Sequence, residues 1–419
     1  MKVEDTEVKY YLSSDWGRDD GAHEIGGCIA INSLTGERLA LSVDTIKLLK
    51  VFGEAGNTIG EAARHLKLNG QEEAELAEAV NRLARCRLLV TELYQSQQTE
   101  KAILPDSVVA DCRFVDCEAR AVTELAGNDI VVFGLPIDLA TSGSPGARYG
   151  PKAIREGSRR FATYERHIID GLNKGWYNAD LGKVILNGAR IVDAGDILVV
   201  PGENFSVTLD RCYRMATQIF QADCKPIFLG GDHSISAPLI RACAERYSDL
   251  AVLHLDAHAD NAEWAPSTNH HHGNVISRIL AENKSIEVYS YGVRGFSGPV
   301  TFDSRRHVVR QHDIEQDLFR SLSLLPKDKT CYISFDIDVL DPVFAPGTGT
   351  PVPLGMEPRT LLKLLKETAA QNRVVGIDVV ELAPARDVRD ATTNLVTHIL
   401  LCMAALAYDK PEKLNGGGE

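Results

Sequence analysis

Asp256-Ala257-His258-Ala259-Asp260 directly follows the apolar run Leu250-Ala251-Val252-Leu253-His254-Leu255, and the reading of this stretch decides the fold. A short, almost wholly apolar run fits a strand buried on both faces, as in a parallel sheet. At its end, side chains at positions i, i+2 and i+4 can converge, so Asp256, His258 and Asp260 would meet at one strand terminus. Similar runs lie at 130–133, 226–229, 286–291, 330–335 and 373–377, separated by helical stretches. Alternating strands and helices predict a doubly wound parallel α/β sheet, with ligands held at the carboxyl ends of its strands.

Two of the other runs end in similar chemistry. Asp336-Ile337-Asp338 follows 332–335, and Gly230-Gly231-Asp232-His233 follows 227–229. Any one of these pieces is more often a turn or a cap than a site. Their recurrence at three strand ends predicts that His233, Asp256, His258, Asp260, Asp336 and Asp338 gather at one sheet edge. So many anions packed together require a cation. Four carboxylates exceed the needs of one divalent ion and suit a pair, about 3.5 to 4 Å apart, sharing bridging oxygens. Oxygen-rich ligation with two imidazoles fits two Mn²⁺ best; Ni²⁺, Fe²⁺, Co²⁺ and Zn²⁺ are chemically possible. Such a pair lowers the pKa of a bridging water toward neutrality, so the expected reaction is hydrolysis.

Composition narrows the classes further. The chain has 419 residues, 44% hydrophobic and 25% charged, which suits one large catalytic domain plus a small one. Lys plus Arg is 45 against 58 Asp plus Glu, a formal charge of −13, which argues against a nucleic-acid partner. Nine Cys without a C-x-x-C pair read as reduced thiols, so a cytoplasmic location is expected. The charged N-terminus and the lack of any apolar run near about 18 residues predict neither export nor a membrane partner.

The first ninety residues have their own rhythm. A hairpin is expected around Ser33-Leu34-Thr35-Gly36, then a helix capped by Ser42, a second with Thr58 and Glu61 as capping box, a third from Glu72, and a closing strand at Leu88-Leu89-Val90. This predicts a winged-helix-like domain over 1–94. A linker over 95–126 (Gln95-Ser96-Gln97-Gln98, Pro105), a catalytic domain over 127–409 and a mobile tail over 410–419 complete the expected organisation.

Gly230-Gly231-Asp232-His233-Ser234, Asp256-Ala257-His258-Ala259-Asp260 and Ser334-Phe335-Asp336-Ile337-Asp338-Val339-Leu340-Asp341-Pro342 resemble, in order, the three metal motifs of the arginase and agmatinase (ureohydrolase) family. Gly146-Ala147-Arg148-Tyr149-Gly150-Pro151, Asp193-Ala194-Gly195-Asp196, Gly292-Val293-Arg294 and Asp378-Val379-Val380-Glu381 are similar to further family segments, and the likeness spans roughly 130–408. It implies a three-layer α/β/α fold, two Mn²⁺ ions, trimers or hexamers, and hydrolysis of a guanidino group to urea and an amine. A guanidinium stays charged and presents a planar fork that a carboxylate matches bidentately. Glu381 is assigned that carboxylate, as in the family's corresponding motif. His272 resembles the family's active-site histidine, which can carry a proton to the departing amine, although His270 and His271 leave the register open.

Other residues take plainer readings. His254 is expected to be a satisfied buried histidine, Asp232 and Asp341 to orient loops, Arg148 and Arg294 to serve as ion-pair or loop anchors, and Trp264 to line the mouth or simply pack. Gly230-Gly231 lacks the Lys-Ser/Thr of a phosphate loop.

Free-arginine hydrolases of this family carry a Ser-Gly-Asn-type segment before the His-Gly, where this chain has Ser267-Thr268-Asn269-His270-His271-His272. That leaves agmatine, guanidinobutyrate, guanidine or peptidyl arginine. The N-terminal segment resembles small domains that bind leader peptides of ribosomally made, modified peptides by strand addition. The favoured expectation is a peptide arginase acting on a precursor peptide. The alternatives are an agmatinase-like enzyme for a small guanidino compound, and a noncatalytic peptide-binding protein.

Overall fold

The structure is a computed structural model, and it describes residues 9–12, 16–18, 27–32, 38–52, 57–85, 88–91, 105–125, 127, 129–163, 168–169, 172–173, 175–263, 270–296 and 303–409. The expected linker residues Gln95-Ser96-Gln97-Gln98, the residue Trp264, the segment Ser267-Thr268-Asn269 and the tail 410–419 lie outside the described residues. The chain divides into two compact units, Met1–Pro105 with Val200–Asn204, and Asp106–Val199 with Phe205–Glu419.

In the first unit, β1 (Lys9–Leu12) lies antiparallel to two later strands, while β2 (Trp16–Arg18), β3 (Gly27–Asn32) and β4 (Arg38–Ser42) form a second antiparallel sheet. The β3–β4 pair is the expected hairpin. Three helices follow, α1 (Val43–Phe52), α2 (Ile59–Leu66) and α3 (Gly70–Arg85), with β5 (Asn57–Thr58) before α2 and β6 (Leu89–Thr91) at the end; β5 and β6 flank β1. Ser42 Oγ accepts the Thr45 N–H, and Thr58 and Glu61 form the expected reciprocal capping box. The third helix starts two residues before Glu72, because Asn69 caps it: Asn69 Oδ1 accepts the Gln71 and Glu72 N–H groups, and the Glu72 carboxylate accepts Asn69 N–H. Leu49, Phe52, Ala62, Ala63, Leu76, Val80, Leu88 and Leu89 close a small core of their own.

The second unit is built on a ten-stranded sheet. Its strands in chain order are β7 (Ser107–Val108), β8 (Glu118–Ala119), β9 (Ile130–Gly134), β14 (Ile191–Ile197), β15 (Lys225–Leu229), β16 (Leu250–Leu255), β17 (Glu287–Val293), β18 (Arg306–Arg310), β19 (Thr330–Asp336) and β20 (Arg373–Val380). Two short hairpins, β10 (Ile168–Ile169) with β11 (Leu172–Asn173) and β12 (Trp176–Asn178) with β13 (Lys183–Ile185), lie outside it. The order is β18-β17-β16-β19-β20-β15-β9-β14-β7, parallel throughout except for β7, with β8 also pairing β14. Alternate side chains enter different cores: Ile227, Leu229, Leu253 and Leu255 pack with Ile154, Leu361 and Ile399, while Phe228, Val252 and Val288 pack with Met215, Ile240 and Ile279. Helices α4 (Gly150–Thr163), α10 (Pro358–Gln371) and α11 (Ala391–Tyr408) thus cover one face. On the other face lie α5 (Phe205–Gln221), α6 (Ser236–Arg246) and α7 (Val275–Glu282). This is the expected three-layer α/β/α arrangement. The short helices α8 (Gln311–Gln316) and α9 (Leu318–Leu322) follow β18. Among the described residues one helix, α11, is long and apolar enough to cross a membrane, and 67% of it is buried in the core.

Two segments differ from the sequence reading. Residues 106–125, expected as linker, belong to this unit, because β7 and β8 both hydrogen-bond to β14. Strand β14 itself, Ile-Val-Asp-Ala-Gly-Asp-Ile, lacks an apolar run because it buries carboxylates against a distant partner. The fully buried Arg155 guanidinium donates to Asp193 at 2.8 and 2.9 Å and to Asp196 at 2.5 Å. Gly195 sits at φ +81°, where the register shifts; a Cβ there would strike the Val108 carbonyl.

Candidate active site

The chain reverses its course through the sheet between β15 and β16, which are separated by β20 and β19. The loops leaving these four strands face the crevice that such a switch point opens. After β15, Gly231 runs so close to the Ile137 carbonyl that no Cβ would fit, which accounts for the Gly-Gly without any phosphate loop. Asp232 then orients two loops, accepting the Ser234 N–H and O–H through Oδ1 and the Ala140 N–H through Oδ2. Burial, reinforced by the Glu381 charge, pushes its pKa up to about 6.

All six expected ligands come together, in two clusters. In the first, His233 Nδ1 lies 3.1 Å from Asp256 Oδ2, 3.1 Å from Asp260 Oδ2 and 3.3 Å from Asp336 Oδ2. In the second, His258 Nδ1 lies 3.0 Å from Asp338 Oδ2 and 3.4 Å from Asp256 Oδ1. Asp256 therefore serves both clusters, one oxygen to each, as a bridging carboxylate between two ions would. His233 Nδ1 is buried and makes no hydrogen bond among the described residues, although three carboxylates surround it. A nitrogen lone pair aimed at carboxylate oxygens is repulsive unless a positive charge lies between them, so the donor set fits a divalent cation.

The electrostatics agree. Burial opposes a charged His233, but the surrounding Asp256, Asp260 and Asp336 carboxylates outweigh it and raise the pKa well above the ordinary value. His258 is pushed up to about 12: its hydrogen bonds to Asp256 and Asp338 overcome burial. Burial and the neighbouring Asp338 and Asp256 charges push Asp336 well up, and burial with the Asp256 charge raises Asp338. Asp256 moves the other way, since the surrounding His254, His233 and His258 overcome its burial.

Glu381 follows β20 in a left-handed conformation at φ +63°. Its Oε1 accepts the His233 backbone N–H at 3.0 Å and lies 3.0 Å from His272 Nδ1. The Ser142 backbone N–H donates to His272 Nε2 at 3.0 Å, so that nitrogen is an acceptor and Nδ1 carries the proton facing Glu381. Burial disfavours charged His272, yet Glu381 raises its pKa. The three consecutive histidines thus separate. His270 faces Arg278 and Ser206, His271 caps its own turn at the Gly273 N–H, and only His272 reaches Glu381.

The plainer readings also find places. His254 contacts Ser290 through Nδ1 and Asp256 through Nε2, so both ring nitrogens are satisfied. Asp341 accepts the Val343 and Gly355 N–H groups, and Arg148 pairs with Asp138. Arg294 donates to the carbonyls of Gly292, Asp338, Val339, Leu340, Val352 and Pro353, which clamps the loop carrying Asp338. Sequence reasoning gave no role to Ser334, Asp378, Ser142 or Thr350. The Thr350 hydroxyl donates to Asp338 Oδ2, and Ser334 and Asp378 lie behind His233. Asp378 carried one signal, a charge inside the apolar strand Arg373–Val380.

The sequence model of the arginase family matches residues 128–405. The chain belongs to the arginase family. It is 36% identical to proclavaminate amidinohydrolase of Streptomyces clavuligerus over 65% of this chain and 86% of that protein. It is 34% identical to the mitochondrial agmatinase of Gallus gallus over 67% of this chain and 82% of that protein. The solved structure of the S. clavuligerus proclavaminate amidinohydrolase superposes with a TM-score of 0.59 at 30% identity, covering 73% of this chain and 99% of that one. The family is one of binuclear metal sites, and its members are amidino hydrolases. This chain is accordingly a guanidino hydrolase that cleaves C–N bonds in linear amidines. Apart from Val200–Asn204 the matched residues fall within the second unit; residues 1–105 lie before them.

Proposed function

We propose that this chain is a peptide arginase: it hydrolyses arginine side chains of a ribosomally made precursor peptide to ornithine, releasing urea, with two Mn²⁺ as cofactor. His233, Asp260 and Asp336 would hold one ion, His258 and Asp338 the other, with Asp256 shared. At such a site a pair of divalent ions supplies an activated water and stabilises the charge that develops as the guanidino carbon is attacked. Glu381, buried and fixed by the His233 N–H, pairs the guanidinium and orients its carbon toward the carboxylate-lined crevice. His272 holds a proton on Nδ1, on the Glu381 side, for the amine that leaves when the C–N bond breaks. The observation that carries the guanidino reading is Glu381 within 3.0 Å of His272, in the crevice shared by both clusters.

The peptide reading rests on residues 1–105 of the first unit, a small helix-and-sheet segment that precedes the residues the family model matches. Its β2-β3-β4 sheet has edge strands to which a leader could add as a further strand. A tethered leader raises the local concentration of the core peptide. A trimeric or hexameric cytoplasmic enzyme completes the proposal. A second reading, an agmatinase-like enzyme for a free guanidino compound, is favoured by the names of the relatives. Urea release from leader-bearing arginine peptides, the same peptides without leader, agmatine and guanidinobutyrate, each with and without Mn²⁺, separates the two. The peptide reading expects kcat/KM for leader-bearing peptides at least ~10²-fold above the leaderless ones. Fast turnover of agmatine with none of the peptides establishes the second reading instead.

A further inference from the structure

Behind His233, away from the crevice, lies a buried chain of polar groups. His233 Nε2 is 3.0 Å from Ser334 Oγ, which is 2.8 Å from Asp378 Oδ1; the Tyr332 hydroxyl donates to Asp378 Oδ2 at 2.9 Å. Ser334 and Asp378 are register partners on β19 and β20, so the sheet itself sets this spacing. His233, Ser334, Asp378 and Tyr332 are all essentially excluded from solvent.

The proton count fixes the direction of each bond. A hydroxyl has one proton. That of Ser334 goes to the Asp378 carboxylate, an acceptor-only group 2.8 Å away and nearer than Ser236 Oγ at 3.3 Å, and so not to His233. Ser334 Oγ must therefore accept from His233 Nε2–H. A proton on Nε2 leaves the lone pair on Nδ1, the nitrogen facing Asp256, Asp260 and Asp336. Reversing the imidazole tautomer would leave Nε2 as an acceptor facing a hydroxyl whose proton is already committed.

We propose that Ser334 and Asp378 form a positioning pair that locks the His233 tautomer for metal binding, and that the deeper of the two ions depends on this pair while the ion at His258 does not. The inference rests on the two-ion reading above. It follows that Asp378, two hydrogen bonds from His233, controls the occupancy of one subsite selectively.

The test uses the full-length chain loaded with Mn²⁺, with bound metal counted by mass spectrometry and affinities read by calorimetry. The parent should hold two ions per chain. Ser334→Ala and Asp378→Asn should each retain one tight ion and weaken the other by about 10- to 100-fold. The double variant should be no weaker than the worse single one, because both changes break the same chain. Tyr332→Phe, which removes a partner of Asp378 but leaves the Ser334 link, should lower the melting temperature and keep both ions. Two tight ions in Ser334→Ala overturn the proposal, as does equal metal loss in Tyr332→Phe and Ser334→Ala. Should Ser334→Ala fail to fold, Asp378→Asn carries the same readout. A parent that takes up no Mn²⁺ overturns the two-ion reading, and this proposal with it.

Discussion

The two clusters share Asp256 but differ in depth and support. The His233 side chain is 1% exposed, faces three carboxylates and is backed by Ser334, Asp378 and Tyr332. The His258 side chain is 36% exposed, faces two carboxylates, and its partner Asp338 is supported by the Thr350 hydroxyl and by a loop that Arg294 clamps. The groups behind the deep cluster, Tyr332, Ser334 and Asp378, stand on strands, whereas the shallow cluster is supported from loops. Strand-borne groups inside a close-packed core hold position better than loop-borne ones, so the deep subsite should bind first and exchange more slowly.

The largest test removes what the clusters have in common. Asp256→Asn takes a charge from both, so bound Mn²⁺ should fall below one ion per chain and urea release should fall to background. Retention of two ions at the parental rate would remove Asp256 from the bridging position. His272→Ala touches neither cluster directly. It should lower kcat by about 10² to 10⁴-fold with metal content unchanged, measured as urea release at saturating substrate. Loss of metal in that variant would mean that the Glu381 contact supports His233 through its backbone.

Acidification should then sharpen the contrast in depth. In the metal-free protein His233 and His258 are raised and so favour their protonated forms, and burial with the Asp338 and Asp256 charges raises the deep Asp336 as well. An incoming ion must displace those protons, so affinity rises with pH, by about tenfold per pH unit for each proton released. The deep cluster surrounds its imidazole with more carboxylates and should show the steeper slope in calorimetric titrations between pH 6 and 8. Equal, flat affinities across that range would contradict the protonated metal-free state.

What the sequence made legible follows from the same distinction. Asp256, His258, Asp260, Asp336 and Asp338 stand just past apolar runs, where spacing alone places them at a strand end. Ser334 and Asp378 were not legible in that way, because their roles arise from register between β19 and β20, and a polar residue inside a strand looks alike whether it is satisfied or functional. The choice among His270, His271 and His272 was equally tertiary: it depends on which ring meets Glu381. Strand β14 escaped the apolar-run criterion because Asp193 and Asp196 both pair with Arg155 from a helix that precedes them in the chain. The start of α3 was misplaced for a local reason, since Asn69 was not recognised as its cap.

The smallest predicted effect tests the support of the shallow cluster. Thr350 donates to Asp338 Oδ2 at 3.2 Å, a long and therefore weak hydrogen bond, whereas the Ser334 link to Asp378 is 2.8 Å and fully buried. Thr350→Val keeps the side-chain volume but removes the donor. It should weaken the ion at His258 by less than about tenfold, since one ordinary hydrogen bond is worth roughly 1 kcal/mol, and leave the ion at His233 unchanged. The carbonyl clamp of Arg294 remains in that variant, so the loop keeps its course and Asp338 loses only fine orientation. If Thr350→Val instead costs as much as Ser334→Ala, loop-borne support matters as much as strand-borne support, and depth does not rank the two subsites.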